Sequence, residues 1–199
     1  KAAYADTGEV IPISQCYRDR LYALVPETET QRGIKAIAVT ETEFTDYDPA
    51  SPEFFAFKRM SAMGVVEGNE KGEALPFDNI TRAETVAIIM RLLGLKANDK
   101  FDVTYKDVTP DDWFYGVVAA ATQWGIVEGT SDISFEPHRN VTREEFVVMA
   151  DRAVGIARMG YPGDDAQMAV DRQFVSEWAQ GAYGRLGNYA PSSVGEADG

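Results

Sequence analysis

Two arginines stand where helix formation alone would not place them. Arg82 lies in Asn-Ile-Thr-Arg-Ala-Glu (79–84) and Arg143 in Asn-Val-Thr-Arg-Glu-Glu (140–145), each leading into an apolar stretch. In both, a Thr followed three residues later by Glu makes a capping box. The hydroxyl of Thr81 or Thr142 accepts from the N–H of Glu84 or Glu145, and that Glu reaches back to the Thr N–H. Capping accounts for the Thr and the Glu but leaves the Arg unexplained. At the first helical position a cation meets the positive end of the helix dipole, where acids or proline are preferred. An Arg placed there twice implies an anion, because helix N–H groups and a guanidinium together suit a carboxylate or phosphate. That anion is either a ligand or a structural carboxylate, such as Asp46 or Asp107 of a neighbouring unit. The two readings are compatible, since a guanidinium held by one acid still presents another face.

The elements that must position these residues are written twice. A shift of sixty-one superimposes Asp46 on Asp107, Gly64 on Gly125, Gly68 on Gly129 and Pro76 on Pro137 without a gap. It continues through Thr81/Thr142, Arg82/Arg143, Glu84/Glu145, Arg91/Arg152 and Gly94/Gly155. Each copy reads as helix, loop, helix. First helices are expected over Pro52–Met63 and Asp112–Trp124, from apolar residues at helical spacing. Gly64 and Gly125 then serve as helix stops in the left-handed conformation. Val141 and Phe146 stand at the places of a hydrophobic staple in the second copy, a contact that Thr85 weakens in the first.

A third copy starts at Asp171, with Trp178 in the part of Trp113, but no third Thr-Arg-Xaa-Glu helix follows. Residues 159–169 read as a linker between the second and third units. The expected organisation is thus a β-prone leader at 1–42, repeats at 43–97 and 104–158, and a partial repeat at 168–199. Within the leader, Arg20–Glu27 and Ile34–Glu41 read as two short strands about a polar turn. Such a ribbon is marginal alone and must pack on something else. The chain opens at Lys1 with no apolar signal core, and is expected to be a mature chain or a piece of a longer protein.

Composition narrows the partners. Nineteen basic against 32 acidic residues give a formal charge of −13, so nucleic acid and anionic membranes would repel the chain at long range. An anionic partner has to be caught by a local basic group. One cysteine, Cys16, excludes an intrachain disulfide, and the single His138 excludes a His-based zinc cluster. No apolar run has the length of a membrane span. No cofactor is expected. The acidic stretch at 162–171 lacks the ligand spacing of a calcium loop. The pairs Asp111/Asp112 and Glu144/Glu145 read as solvated helix faces, because adjacent carboxylates point apart and do not flank a scissile bond. Trp113 and Trp178 read first as core anchors, His138 as an exposed loop residue, and Phe54, Phe55 and Phe57 as core.

Together these motifs resemble the S-layer homology family of bacterial cell-surface proteins. Its pattern of aromatic-Xaa-Asp, Trp-containing helix, Gly-Ile-Val-Xaa-Gly, Phe-Xaa-Pro loop and Ile-Thr-Arg-Xaa-Glu is filled by "FTDYDP", "GVVEG" and "LPFDNITRAE". It is filled again, more fully, by "YKDV", "DDWFYGVV", "GIVEG" and "SFEPHRNVTREE". The first copy has Pro52 where the Trp should be. The resemblance implies a mainly α fold, with helix-loop-helix repeats in a pseudo-threefold bundle behind a short N-terminal β segment. It also implies non-catalytic, non-covalent anchoring at the extracellular cell wall through secondary wall polysaccharide, whose pyruvylated sugar offers a carboxylate. Carried over, Arg82 and Arg143 would grip that acid, and Trp113 and Trp178 would face the sugar. Gly68 and Gly129 would admit the glycan to the backbone, while Asp46, Asp107 and Asp171 would shape the groove. With two motif arginines in the sequence, Arg82 and Arg143, no motif cation is expected for a third groove. The competing expectation is an assembly module that forms homo-oligomers without binding glycan. An enzyme whose catalytic domain lies outside this sequence is a third.

Overall fold

The structure, a computed structural model, describes residues 2–8, 10–11, 14–17, 20–23, 31–36, 44–46, 52–69, 71–157 and 174–186. The linker expected at 159–169 and Asp171 lie outside them. The protein is mainly helical, with short strands at its N-terminus. It divides into two compact units, Lys1–Asn79 with Ala87–Lys96, and Ile80–Val86 with Ala97–Gly199. The first turn of the first Thr-Arg helix therefore belongs with the second copy.

Among the described residues of the first unit, five strands make two small sheets. β1 (Ala2–Tyr4) lies between β2 (Val10–Ile11) and β5 (Ile34–Ala36), antiparallel to both, and β3 (Ser14–Tyr17) pairs with β4 (Arg20–Ala23). The two runs read from the sequence as a ribbon do contain β4 and β5, but these take other partners. Tyr17 pairs with Arg20 across a tight connection, a loop that closes at lower entropic cost than one from residue 23 to residue 34. Ala2, Tyr4 and Ile11 form a small buried cluster. Over Tyr4 lies the Arg32 guanidinium, 3.7 Å from the ring centroid, while its Nε donates to Asp6 at 3.0 Å.

Helix α1 (Pro52–Ala62) ends as its sequence requires. Gly64 takes φ +68°, its N–H donates to Ser61 O, and the Val65 N–H reaches back to Met60 O. Val65 is fully buried beyond the turn. Helix α3 (Tyr115–Gln123) ends identically: Gly125 at φ +70°, its N–H on Thr122 O, and buried Ile126 on Ala121 O. This glycine-centred stop satisfies the last carbonyls and seals the turn with an apolar contact. The second-copy helix opens later than expected, at Tyr115. Before it, Asp112 accepts from the N–H and hydroxyl of Thr109 and holds residues 109–112 in a turn.

The following loops are the same object built twice. Asp46 accepts the N–H groups of Ala74 and Leu75 at 2.6 and 2.7 Å. Asp107 accepts those of Phe135 and Glu136 at 2.9 and 2.8 Å, and the Ser134 hydroxyl at 2.7 Å. Leu75 and Glu136, one repeat apart, both carry positive φ, +52° and +58°. Each is a non-glycine residue held left-handed by an Asp gripping its N–H. Gly68 and Gly129 admit the aromatic residue that begins each repeat. A Cβ on Gly68 would come within 2.8 Å of the Phe44 ring, and one on Gly129 within 2.5 Å of Tyr105.

Helix α2 (Arg82–Leu93) and helix α4 (Arg143–Ile156) open the second half of each repeat. α2 stops at Gly94, φ +69°, whereas the matching Gly155 is absorbed into α4. In the second unit α5 (Glu177–Leu186) packs on α4 through Val175, Ala179 and Tyr183 against Val147 and Val148. Arg185 clamps Asp151 with bonds of 2.9 and 2.6 Å, and the Ser176 N–H donates to Glu144.

Replacing Asp107 with Ala strands two loop N–H groups and frees a left-handed residue, and should cost about 1–3 kcal/mol. Asp46→Ala should cost less, because its loop is more exposed. Urea unfolding of the two variants checks both the loss and the order; an unaffected Asp107→Ala protein contradicts the loop assignment.

Candidate functional site

Both capping boxes form. Thr81 N–H donates to Glu84 Oε2 at 2.8 Å and Glu84 N–H to the Thr81 hydroxyl at 3.3 Å. Thr142 and Glu145 repeat this at 2.9 and 3.2 Å. The remaining N–H groups at the start of α2 are not open to a ligand. Arg82 N–H donates to Arg139 O and Ala83 N–H to Pro137 O, while Val141 N–H returns a bond to Ile80 O.

The Arg82 guanidinium is just as fully engaged. Its side chain is 3% exposed and lies 4.7 Å above the Phe135 ring. Nε donates to Phe135 O at 2.8 Å, Nη2 to Glu128 O at 3.1 Å, and Nη1 meets Glu145 at 2.9 Å. The anion implied by the sequence is therefore in hand: it is the capping glutamate of the second copy. Asp46 and Asp107, the candidates named from sequence, are spent on their own loops. Glu145 also accepts from Arg139 Nη2 at 2.6 Å, and Arg139 Nε is held by Glu136 at 2.6 Å. Burial works to raise the Glu145 carboxyl, but Arg139, the Thr142 N–H and the Arg82 charge outweigh it and hold it below its ordinary value. Burial pulls the Arg82 pKa down against the Glu145 charge, and the Glu145 and Glu136 hydrogen bonds push Arg139 up.

Above this network the second unit opens a groove of 450 Å³. Its wall gathers four of the residues singled out from sequence: Arg82, Gly129, Glu145 and Trp178. Arg139, Arg152, Glu128 and Thr130 line it too and were not singled out as site residues. The signal for two of them was present, because Glu67/Glu128 and Arg91/Arg152 recur in the sixty-one-residue shift. Both pairs form ion pairs, Arg91–Glu67 at 3.5 Å and Arg152–Glu128 at 2.9 Å.

The two tryptophans are not core anchors. Trp113 is 61% exposed and Trp178 59%; Phe114, next to Trp113, is the residue that fills the interior. Trp113, Asp46, Asp107, Gly68 and Arg143 do not line this groove. Arg143 lies with its guanidinium 5.8 Å from the Tyr183 ring of α5. His138 is exposed and meets Phe114 edge-on. Gly129 touches the groove, yet its missing Cβ accommodates Tyr105 and two carbonyl oxygens from inside the fold. Among the described residues no group of His, Cys, Asp and Glu is placed to hold a metal ion, and no helix is long and apolar enough to cross a membrane.

Residues 43–86 and 104–147 match the S-layer homology domain, and these two repeats belong to that family. The chain is 43% identical over 101 residues to a surface layer protein of Brevibacillus choshinensis, 49% of this chain and 9% of that protein. It is 36% identical over 117 residues to the surface-layer 125 kDa protein of Lysinibacillus sphaericus, 59% of this chain and 9% of the relative. An endoglucanase of Bacillus sp. (strain KSM-635) matches at 36% over 110 residues, 55% of this chain and 11% of the enzyme. The chain thus spans about a tenth of these relatives. Family and relatives place it at the cell surface, as a module of the surface-anchoring kind.

Removing Arg82 leaves Glu145 short of a partner and two carbonyls without donors. Arg82→Gln should lower the unfolding free energy by about 3 kcal/mol. Because the folded Glu145 pKa lies below the ordinary 4.5, its contribution is complete above that pH and is lost as pH falls through the folded value. Glu145→Gln should therefore flatten the acid limb of stability against pH. An acid limb identical to wild type contradicts the network.

Proposed function

We propose that this module anchors its parent protein non-covalently by binding an anionic wall polysaccharide, with the groove of the second unit as a sugar site. The observation that carries the reading is the meeting of three guanidinium groups with an exposed indole in one groove, in a chain of net charge −13. Diffuse attraction cannot bring an anion to such a surface, so the cations must act locally. An exposed Trp offers a flat apolar face to a pyranose ring. Thr130 adds a hydroxyl for the sugar's own hydroxyls, while Arg82, neutralised by Glu145, holds the groove floor from beneath. Arg143, Trp113, Asp46, Asp107, Asp171 and Gly68 stay assigned to glycan only through the family resemblance.

A segment of this length shared by surface-layer proteins and an endoglucanase fits a portable binding module better than a catalytic centre. The carboxylates of the groove agree with this, since Glu136 and Glu145 are both committed to Arg139 and Glu128 is paired with Arg152.

Trp178→Ala should weaken binding to purified pyruvylated wall polysaccharide by about tenfold or more, about 1.4 kcal/mol. Its exposure means that the helical circular dichroism should not change. Full retention of binding by Trp178→Ala would remove the groove from the account.

A further inference from the structure

The three groove arginines differ in how firmly they are held, and that difference assigns their roles. Arg82 is buried and saturated by two carbonyls and Glu145. Arg139 is clamped between Glu136 and Glu145 by two bonds of 2.6 Å. Arg152, 31% exposed, has its ion pair with Glu128, whose side chain is 75% exposed to solvent. Drawing Arg82 or Arg139 onto a ligand would strand the partly buried Glu145 charge. Drawing Arg152 away from Glu128 releases a carboxylate straight into water, at almost no cost.

We infer that Arg152 is the residue that takes the carboxylate of an anionic sugar, by exchange with Glu128, and that Arg82 is a positioning residue. The inference rests on the glycan reading above. Arg152 and Trp178 share the groove wall, so one sugar can meet the cation with its acid and the indole with its ring. Glu128 is bound at both ends of its residue: its carbonyl accepts from Arg82 and its carboxylate from Arg152. Arg82 therefore fixes the backbone on which the exchangeable carboxylate swings. Arg91 and Glu67 form the same exposed pair one repeat earlier, at 3.5 Å, and carry the same capacity for exchange.

The test uses the full chain and two probes, a methyl hexopyranoside bearing a pyruvate ketal and the same sugar without it, read by calorimetry. Arg152→Gln should weaken binding of the ketal sugar by about tenfold or more with an unchanged unfolding midpoint, and Arg152→Lys should recover part of the loss. Glu128→Gln, which removes the competing carboxylate, should tighten binding by up to about fivefold. The ketal-free sugar should bind weakly and ignore both substitutions. If wild type binds the ketal sugar and Arg152→Gln binds it equally, the assignment to Arg152 is overturned while the glycan reading stands. If wild type binds neither that sugar nor the whole pyruvylated polysaccharide, both fall.

Discussion

The ion pair between Arg82 and Glu145 is the interaction on which the second unit depends. A guanidinium at the start of one Thr-Arg helix is buried against the capping glutamate of the next, sixty-one residues on. Glu145 thereby closes its own capping box, neutralises Arg82 and orients Arg139. A single carboxylate with three duties cannot be spared for a ligand without loosening all of them. The motif Arg82 is thus a structural fastener of the second unit.

The duplicated loops are each fixed by hydrogen bonds of their own, and the second of them adjoins that fastener. Each Asp at the head of a repeat grips two N–H groups across the loop, and holds a non-glycine residue in left-handed conformation. Such a conformation persists only where its surroundings over-determine it. The result is a defined edge at Glu136, which holds Arg139, and a defined carbonyl at Phe135, which holds Arg82. Groove and loop are thus one construction. Arg82 and Arg139 are thus held in place by the loop, whereas Arg152 pairs with an exposed carboxylate.

Much of this was legible in the sequence because it is local and written twice. The capping boxes, the glycine stops at Gly64 and Gly125, and the helix-loop-helix unit follow from residues within a few positions of one another. What the sequence hid was long-range partnership. Asp46 and Asp107 stood out as anions for Arg82 and Glu145 only as a cap, since nothing in the spacing says that the two Asp side chains are consumed by backbone N–H groups. Trp113 and Trp178 looked like core because large apolar side chains usually are, yet Phe114 takes the interior place beside Trp113. The pairs Arg91–Glu67 and Arg152–Glu128 were visible as matching letters without a reason. Only the turn of the helix onto the loop makes them neighbours. In the leader, strands of two to four residues carry too little pattern to reveal their partners, and the pairing depended on loop closure instead.

The central claim is that Arg82 and Glu145 act as one unit. A double-mutant cycle on unfolding free energy, with Arg82→Gln, Glu145→Gln and the pair, measures that coupling directly. The account predicts a coupling of about 1–3 kcal/mol, with the double variant less damaged than the sum of its parts. Additive losses, with no coupling between the two sites, would contradict it.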